Sequence, residues 1–454
     1  MTKSLKEHSL PKSKTHYVRD LLDSAVSESA LQVTLLGWIK SKRNHGSITF
    51  FDVADSTGSI QAIVSNQTLD TQTLNKIKAV KIESAVSVSG LLKISNLSKQ
   101  AEILVSDFEI INPAKLETSP YVRSDFDIFD AKFTDLMLRQ RHLYIRNPKV
   151  MAILRFRSLT MEIIRRWFAK ENFLEFDAPI LVPAPLYDDR TAIDLSVHEN
   201  PAFLSQCAGF YLEAASQAFE KVYNMAPSFR GEESRSKRHL SEYWHVKAEI
   251  AWGDIETIIN IVENFISYLN ASLNEEGEEY FSIIGSKPRT DGMKIPYPRI
   301  SYSEAVNHLK RLNFPIEFGM SIGSKEEDEL SKIFKSPFWL VGIPRAVEPF
   351  PYSIDQSDKR LTIVADLIAS DGYGELLGVA EKIFSSSMLD ERMAEKNKSL
   401  DERYNFVREV HDFGCSPHIA FGMGLERAIR WFLSIPHVRD TIPFPRVAGR
   451  SFYP

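Results

Sequence analysis

The hydrophobic pattern of this chain changes its period near residue 148, and that change limits the folds open to it. Between Leu31 and Val105, apolar residues fall in short segments separated by turns such as Asp55–Gly58. Segments of this length and spacing are typical of a small five-stranded β-barrel of the OB type. After residue 148, apolar residues follow the helical spacing. The chain therefore combines two architectures.

The C-terminal part predicts an α+β domain. Helical stripes run from Val150 to Phe168 and from Ile255 to Leu269, and both are interpreted as core-facing. Extended segments alternate with helices without a regular βαβ rhythm, which favours an antiparallel sheet flanked by helices. The segments are Asn172–Val182, Phe203–Leu212, Val246–Ala251, Ile363–Ile368 and Ile419–Met423. The predicted divisions are a barrel over 1–112, a linker over 113–147 and the larger domain over 148–454.

Composition fits an ordinary globular protein, with 25% charged residues and a net charge of −5. That charge does not exclude nucleic-acid binding, because phosphate contacts need only a local basic patch. No apolar run approaches the ~20 residues of a bilayer span. Two cysteines are too few for a disulfide framework or a zinc cluster. We expect no membrane association and a reducing, cytoplasmic location.

Two arginine-bearing segments suggest binding of an anionic ligand. His418–Met423 reads as a strand that enters a glycine-spaced turn and then a helix with Arg427 in its first turns. Such a turn presents backbone N–H groups and a fixed cation to a phosphate. Arg230 and Arg238 lie in a charged loop between two apolar strands, and a salt-bridged surface hairpin is the alternative interpretation.

Acidic residues accompany the arginines. Asp366 and Glu375 flank the turn Ser370–Gly374, where carboxylates can hold a Mg²⁺ ion that bridges nucleotide phosphates. Taken alone the pair is weak evidence, because most such carboxylates are simply solvated.

Three ordered motifs carry a family resemblance over residues 30–454. Phe173–Pro179 resembles a dimer-interface motif, Phe229–Glu232 with Arg238–Glu242 a second motif, and Gly422–Arg427 a third. The chain resembles class II aminoacyl-tRNA synthetases with an N-terminal anticodon-binding barrel, and most closely the asparaginyl enzymes. The resemblance implies a homodimeric ligase that uses ATP and Mg²⁺, activates an amino acid as its adenylate and charges tRNA.

The resemblance also implies residue roles. Arg230 and Arg427 would act catalytically on the ATP phosphates, and Glu375 would bind Mg²⁺ together with Asp366, which the turn itself suggests. In the barrel, Phe50 and Gln61 would contact tRNA, and Arg43 belongs to a local basic patch that could bind its phosphates. Phe50 and Phe51 adjoin, so one should be core and the other a stacking platform. The remaining ATP-binding residues would be Glu232, Arg238, His239, Leu240, Gly424, Leu425 and Glu426.

The amino-acid half departs from the family pattern. Glu213 matches the residue that reads a side-chain amide, but Gly209 stands where a glutamine is expected. Lys382 replaces an arginine, which removes a planar two-bond fork. Glu348 replaces a lysine, which reverses a charge in the pocket. These four residues are the predicted amino-acid site.

Three hypotheses follow. The retained motifs and barrel favour an asparagine–tRNA ligase. The altered pocket favours a paralogue that activates a different amino acid or transfers the acyl group to a small amine. A non-catalytic nucleic-acid-binding protein is a third possibility, opposed by the retained Arg230, Glu375 and Arg427.

Overall fold

The computed structural model describes residues 14–24, 31–95, 100–115, 126–186, 189–233, 236–398 and 401–453. The chain divides into two compact units, Met1–Phe126 and Asp127–Pro454. Residues 116–125 of the predicted linker lie outside the described residues. No helix in the described part of the chain has both the length and the apolar character that a bilayer span requires.

The first unit contains a closed five-stranded barrel with strand order β1-β2-β3-β5-β4, which confirms the predicted architecture. Its core is aliphatic except for a stacked pair, Phe51 and Phe108, whose ring centroids lie 5.1 Å apart. Its elements are α1 (Val18–Ser24), β1 (Leu31–His45), β2 (Ile48–Ala54), β3 (Ser59–Ser65), α2 (Thr71–Ala79), β4 (Ala85–Ile94) and β5 (Ala101–Asn112).

The second unit is built on an eight-stranded sheet of order β12-β13-β14-β15-β16-β11-β10-β6, with a separate small sheet β7-β9-β8. Pairing in the large sheet is antiparallel except for β12 with β13 and β10 with β6, so the α+β prediction is confirmed. The strands are β6 (Leu174–Glu175), β7 (Leu181–Val182), β8 (Ile193–Val197), β9 (Asn200–Leu204), β10 (Lys221–Phe229), β11 (Glu242–Ala251), β12 (Arg299–Ser301), β13 (Phe338–Val341), β14 (Val364–Ala369), β15 (Gly374–Lys382) and β16 (His418–Gly424).

Two long helices cover one face of this sheet. Asn147 caps the first of them through its side chain and Pro148 occupies the first turn; Asp254 caps the second. Phe168 stacks on Tyr223 of β10 with ring centroids 3.9 Å apart, so the first helix packs firmly against the strands. The helices of this unit are α3 (Thr134–Arg139), α4 (Arg141–Tyr144), α5 (Pro148–Lys170), α6 (Gly209–Phe219), α7 (Ile255–Glu276), α8 (Glu278–Ile284), α9 (Tyr302–Arg311), α10 (Ser324–Ser331), α11 (Ser386–Glu395), α12 (Asn405–Asp412) and α13 (Leu425–Phe432), with 3₁₀ turns at Ala131–Phe133, Asp189–Thr191, Glu402–Tyr404 and Val438–Thr441.

Two of the predicted extended segments were wrong in part. The strand predicted over Phe203–Leu212 ends at Leu204, and α6 begins at Gly209. The segment Asn172–Val182 is two short strands, β6 and β7, rather than one. In both cases an apolar run without clear periodicity was assigned to a strand, although such runs also occur in short helices and loops.

Candidate active site

The second face of the large sheet carries a row of functional side chains. Alternate residues of β11 share one face, which groups His245, Lys247 and Glu249. The register pairs Lys247 with Gly422, Gly422 with Gly378, and Gly378 with Asp366. A lysine and an aspartate therefore flank two glycines across four strands.

Those glycines form the floor of a cleft of about 1010 Å³. A Cβ at Gly422 would lie 2.7 Å from the Nε2 atom of His245, and one at Gly378 would lie 2.9 Å from an oxygen of Asp366. Since these separations are too short for a methyl group, glycine is required for the flanking side chains to keep these positions. Ala420 and Ala380 continue the floor in the next row.

A smaller cavity opens beside the cleft and contains both arginines predicted to be catalytic. Arg230 follows β10, and Arg427 lies in the first turn of α13, which Gly424 precedes at the N-cap. Arg427 Nη1 donates to Glu375 Oε2 at 2.9 Å, and Arg230 lies 3.5 Å from Glu232. The cavity is lined by Arg230, Glu232, Arg238, His239, Leu240, Tyr243, His245, Glu375, Leu376, Gly422, Gly424, Glu426, Arg427 and Val438.

The loop before β11 supplies a neutral imidazole and a tethered arginine to this cavity. Burial and the nearby Arg427 lower the pKa of His239 to about 4, so the ring is uncharged at neutral pH. Its Nδ1 atom lies 2.7 Å from the Ser236 hydroxyl. Arg238 forms an ion pair with Glu327 of α10, so a carboxylate of its own chain holds this arginine.

The start of α13 is fixed by a buried ion pair. Arg157 Nη1 lies 2.6 Å from Glu426 Oε1, and the second oxygen of Glu426 accepts the Trp244 N–H at 2.9 Å. Leu425 is fully buried. Of the third-motif residues predicted to bind ATP, Leu425 and Glu426 therefore anchor the helix, while Gly424, Glu426 and Arg427 line the cavity.

Carboxylates gather where the cavity meets the cleft. Burial and the neighbouring Glu375 and Glu348 raise the pKa of Asp366 well above its usual value. Burial, followed by Glu375, raises the pKa of Glu348 to about 7. Burial opposes the charged form of Glu375, but Arg427, Arg230 and Arg238 together lower its pKa. Oxygen ligands that repel one another fit a hard divalent cation, so Asp366 and Glu375 are suited to Mg²⁺.

The four residues predicted to bind the amino acid do not form one group. Glu348 lines the cleft. Lys382 Nζ and Glu213 Oε2 form a buried ion pair of 3.2 Å, one row beyond Ala380 on the sheet. Gly209 begins α6, and a Cβ there would lie 3.2 Å from Lys247 Nζ.

Glu213 and Lys382 belong to a buried charge network that also contains Glu249 and His418. His418 Nε2 lies 3.7 Å from Glu213 and 3.5 Å from Glu249. Burial opposes protonation of His418, but Cys415 and the two carboxylates raise its pKa to about 10. Burial raises the pKa of Glu249, whereas Lys382 and His418 favour its charged form. The four side chains form a buried ion-pair cluster.

Sequence reasoning overlooked Lys247, His245 and Tyr352. Lys247 and Tyr352 line the cleft, and His245 lines both cavities. Burial opposes the charge of Lys247, but Cys207, Tyr352 and Glu249 raise its pKa, so it stays protonated. The alternation of polar residues along His245–Glu249 was the available signal.

The barrel brings its three predicted tRNA-binding residues onto neighbouring strands. Arg43 pairs in register with Phe50, and Arg43 Nη2 donates to the Gln61 side chain at 3.2 Å. Phe51 is fully buried and Phe50 is half-buried. The burial of Phe51 agrees with the expectation that one of the two phenylalanines belongs to the core, and the stacking role of Phe50 stays a prediction.

Comparison with known proteins identifies the family. Residues 134–448 match the model of class II tRNA synthetases (D, K and N), and residues 33–111 match that of the OB-fold nucleic acid binding domain. An asparagine–tRNA ligase of Thermococcus kodakarensis is 34% identical over 428 residues, covering 93% of this chain and 96% of the relative. One from Thermoplasma acidophilum is 31% identical, with 92% and 96% coverage.

Solved structures agree. An asparaginyl-tRNA synthetase from Pyrococcus horikoshii, complexed with asparaginyl-adenylate, superimposes with a TM-score of 0.88 at 31% identity, covering 97% of this chain and all of the other. An asparaginyl-tRNA synthetase from Entamoeba histolytica has the same fold, with a TM-score of 0.83 at 23% identity, covering 95% of this chain and 98% of the other. The chain belongs to the class II aminoacyl-tRNA synthetases and is an ATP-dependent ligase.

Proposed function

We propose that this protein activates asparagine with ATP and transfers it to tRNA. The observation that carries the proposal is the convergence of Arg230 and Arg427 on one cavity that adjoins the amino-acid cleft. The two relatives named above match nearly the whole chain, and both are asparagine–tRNA ligases.

The site residues support a two-step reaction. In the first step, a substrate carboxylate attacks the α-phosphorus of ATP and pyrophosphate leaves. Arg230 and Arg427 offset the charge that develops on the phosphate oxygens. In the second step, a ribose hydroxyl of tRNA attacks the acyl carbon and AMP leaves. Neutral His239 and buried Leu240 can contact the base without adding charge. Asp366 and Glu375 would hold Mg²⁺, which supplies positive charge to the phosphates when bound.

The test is asparagine-dependent exchange of pyrophosphate into ATP, followed by aminoacylation of tRNA. Exchange should require asparagine and Mg²⁺, and the Arg427→Ala variant should carry it out much more slowly. A response to asparagine no greater than the background without amino acid would remove asparagine as the substrate.

A second candidate is a paralogue that activates another amino acid, or that transfers the acyl group to a small amine. Glu348 favours it, since a carboxylate facing the cleft could bind an additional ammonium group. Exchange measured over a panel of amino acids separates the candidates, because activity with asparagine alone supports the first. With a small-amine acceptor, AMP release would depend on the added amine and not on tRNA, and the acyl group would appear as its amide.

We extend the proposal to assembly and location. An open groove of about 540 Å³ runs between α5 and α7 beside the edge strand β6, and such a surface suits a two-fold partner. Sedimentation at micromolar concentration should give twice 51.7 kDa. A species of the single-chain mass alone would contradict a homodimer. A cytoplasmic location completes the proposal, because tRNA charging takes place there.

A further inference from the structure

A buried carboxylate beside the cleft has no hydrogen-bond donor. Glu249 is 0% exposed, and neither of its side-chain oxygens has a hydrogen-bond partner among the described residues. Its nearest cation is His418, whose Nε2 atom lies 3.5 Å from Oε1, longer than an ordinary hydrogen bond. An acceptor left in this state destabilises the protein, so a donor from a bound molecule would be favourable.

The pair that the family resemblance assigns to side-chain recognition is already engaged. Glu213 and Lys382 contact each other at 3.2 Å, and both are buried. His411 lies 3.6 Å from the other oxygen of Glu213. These contacts leave Glu213 surrounded by side chains of its own chain, so a substrate amide would have to displace one of them to reach it.

Lys247 lies on the same strand and the same face as Glu249, two residues away. Its residue is 4% exposed and lines the cleft, so its ammonium group can meet a ligand there. The ammonium group occupies space that a side chain at position 209 would restrict. Ala420, which lines the cleft, is the cross-strand partner of Glu249, so Glu249 lies next to the floor of the cleft. Lys247, a hydrogen-bond donor, and Glu249, an acceptor, are thus neighbours on the same face of β11.

We propose that Lys247 and Glu249 read the side-chain amide of the substrate, with Lys247 donating to the carbonyl oxygen and Glu249 accepting an amide N–H. This inference rests on the proposed function and deepens it. A side-chain carboxylate has no donor for Glu249 and is repelled by it. A side-chain ammonium meets the like charge of Lys247. The pair therefore selects an amide over both alternatives.

The test measures ATP–pyrophosphate exchange with asparagine and aspartate on the full-length enzyme. The wild type should prefer asparagine. Glu249→Gln offers a donor as well as an acceptor, so the asparagine-to-aspartate ratio of kcat/KM should fall at least tenfold. Lys247→Met should lower kcat/KM for asparagine at least tenfold. Glu381→Gln is the matched control, because Glu381 lies on the other face of β15, accepts a backbone N–H and should leave the ratio unchanged.

Binding of ATP by calorimetry serves as the folding check, and all three variants should retain the wild-type affinity. A Glu249→Gln variant that binds ATP normally and keeps the wild-type ratio would overturn the amide-reading pair while leaving asparagine activation intact. A wild type that responds only to another amino acid would overturn the pair but not amino-acid activation. Absence of exchange with every amino acid would overturn the proposed function itself.

Discussion

Removing the cation of the Arg157–Glu426 pair should destabilise the catalytic unit strongly. Both side chains are almost fully buried, and the contact of 2.6 Å ties α5 to the first turn of α13. Arg157→Met keeps most of the side-chain volume but leaves Glu426 as an uncompensated buried charge. Breaking a buried pair in this way costs about 3–5 kcal/mol. The Trp244 N–H remains bonded to Glu426 and does not add to the loss.

A second variant separates charge from packing. In Arg157→Met/Glu426→Gln, glutamine keeps an acceptor for the Trp244 N–H but carries no charge. The loss should fall to about 1–2 kcal/mol, the scale of a missing neutral hydrogen bond with imperfect packing. Urea unfolding followed by tryptophan fluorescence suits the comparison, since Trp38 is the single tryptophan of the barrel and the other five lie in the second unit.

The pH dependence provides an independent check. Burial already raises the pKa of Glu426 in the wild type, although Arg157 opposes that shift, so removing the cation in Arg157→Met should raise it further. Stability is then favoured below the unfolded pKa and declines as pH rises through the folded one. The single variant should therefore differ less from the wild type at pH 5 than at pH 8. Equal losses in the single and double variants at both pH values would refute the explanation by uncompensated charge.

Three further predictions concern the two sites. Arg427→Ala should lower the exchange rate by about 10²–10³, the usual effect of losing one donor to a developing anion, and single-turnover kinetics should place the loss in adenylate formation; an unchanged rate would contradict its role. Burial and Glu375 raise the pKa of Glu348 to about 7, so folding favours its protonated form. Relative to Glu348→Gln, the stability of the wild type should therefore fall by about 1–3 kcal/mol between pH 4.5 and 8. An equal dependence of the melting temperature on pH in both proteins would contradict this. Phe50→Ala should weaken tRNA binding by about 1–3 kcal/mol without changing stability, whereas Phe51→Ala should cost about 3–5 kcal/mol of barrel stability; equal effects on melting would reject the assignment.

Sequence reasoning predicted the long elements well because their periodicity is strong. The stripe from Ile255 to Leu269 became α7, and the pattern after Leu31 became the barrel. It failed at α6, where the glycine at position 209 and an apolar run gave no helical repeat. There the packing of α6 against β10 and β11 decides the structure, and a local pattern contains no information about such contacts.

The site was predicted unevenly for a related reason. Arg230, Arg427 and Glu375 lie in motifs, so their convergence could be expected. Polar alternation marked Lys247 only weakly, since its importance depends on Gly422 and Gly378 being its neighbours across two strands. Likewise the Glu213–Lys382 contact joins residues far apart in the chain, and only the fold reveals that each satisfies the other.

The floor of glycine and alanine has a consequence for how this protein could change. Gly422, Gly378, Ala420 and Ala380 carry at most one side-chain carbon each, so the depth of the cleft depends on these four positions. The polarity of the cleft depends on other residues, such as Lys247 and Asp366, which lie on the flanking strands β11 and β14. Size tolerance and charge preference are thus encoded at separate positions, and either could be altered by substitution while the other is retained.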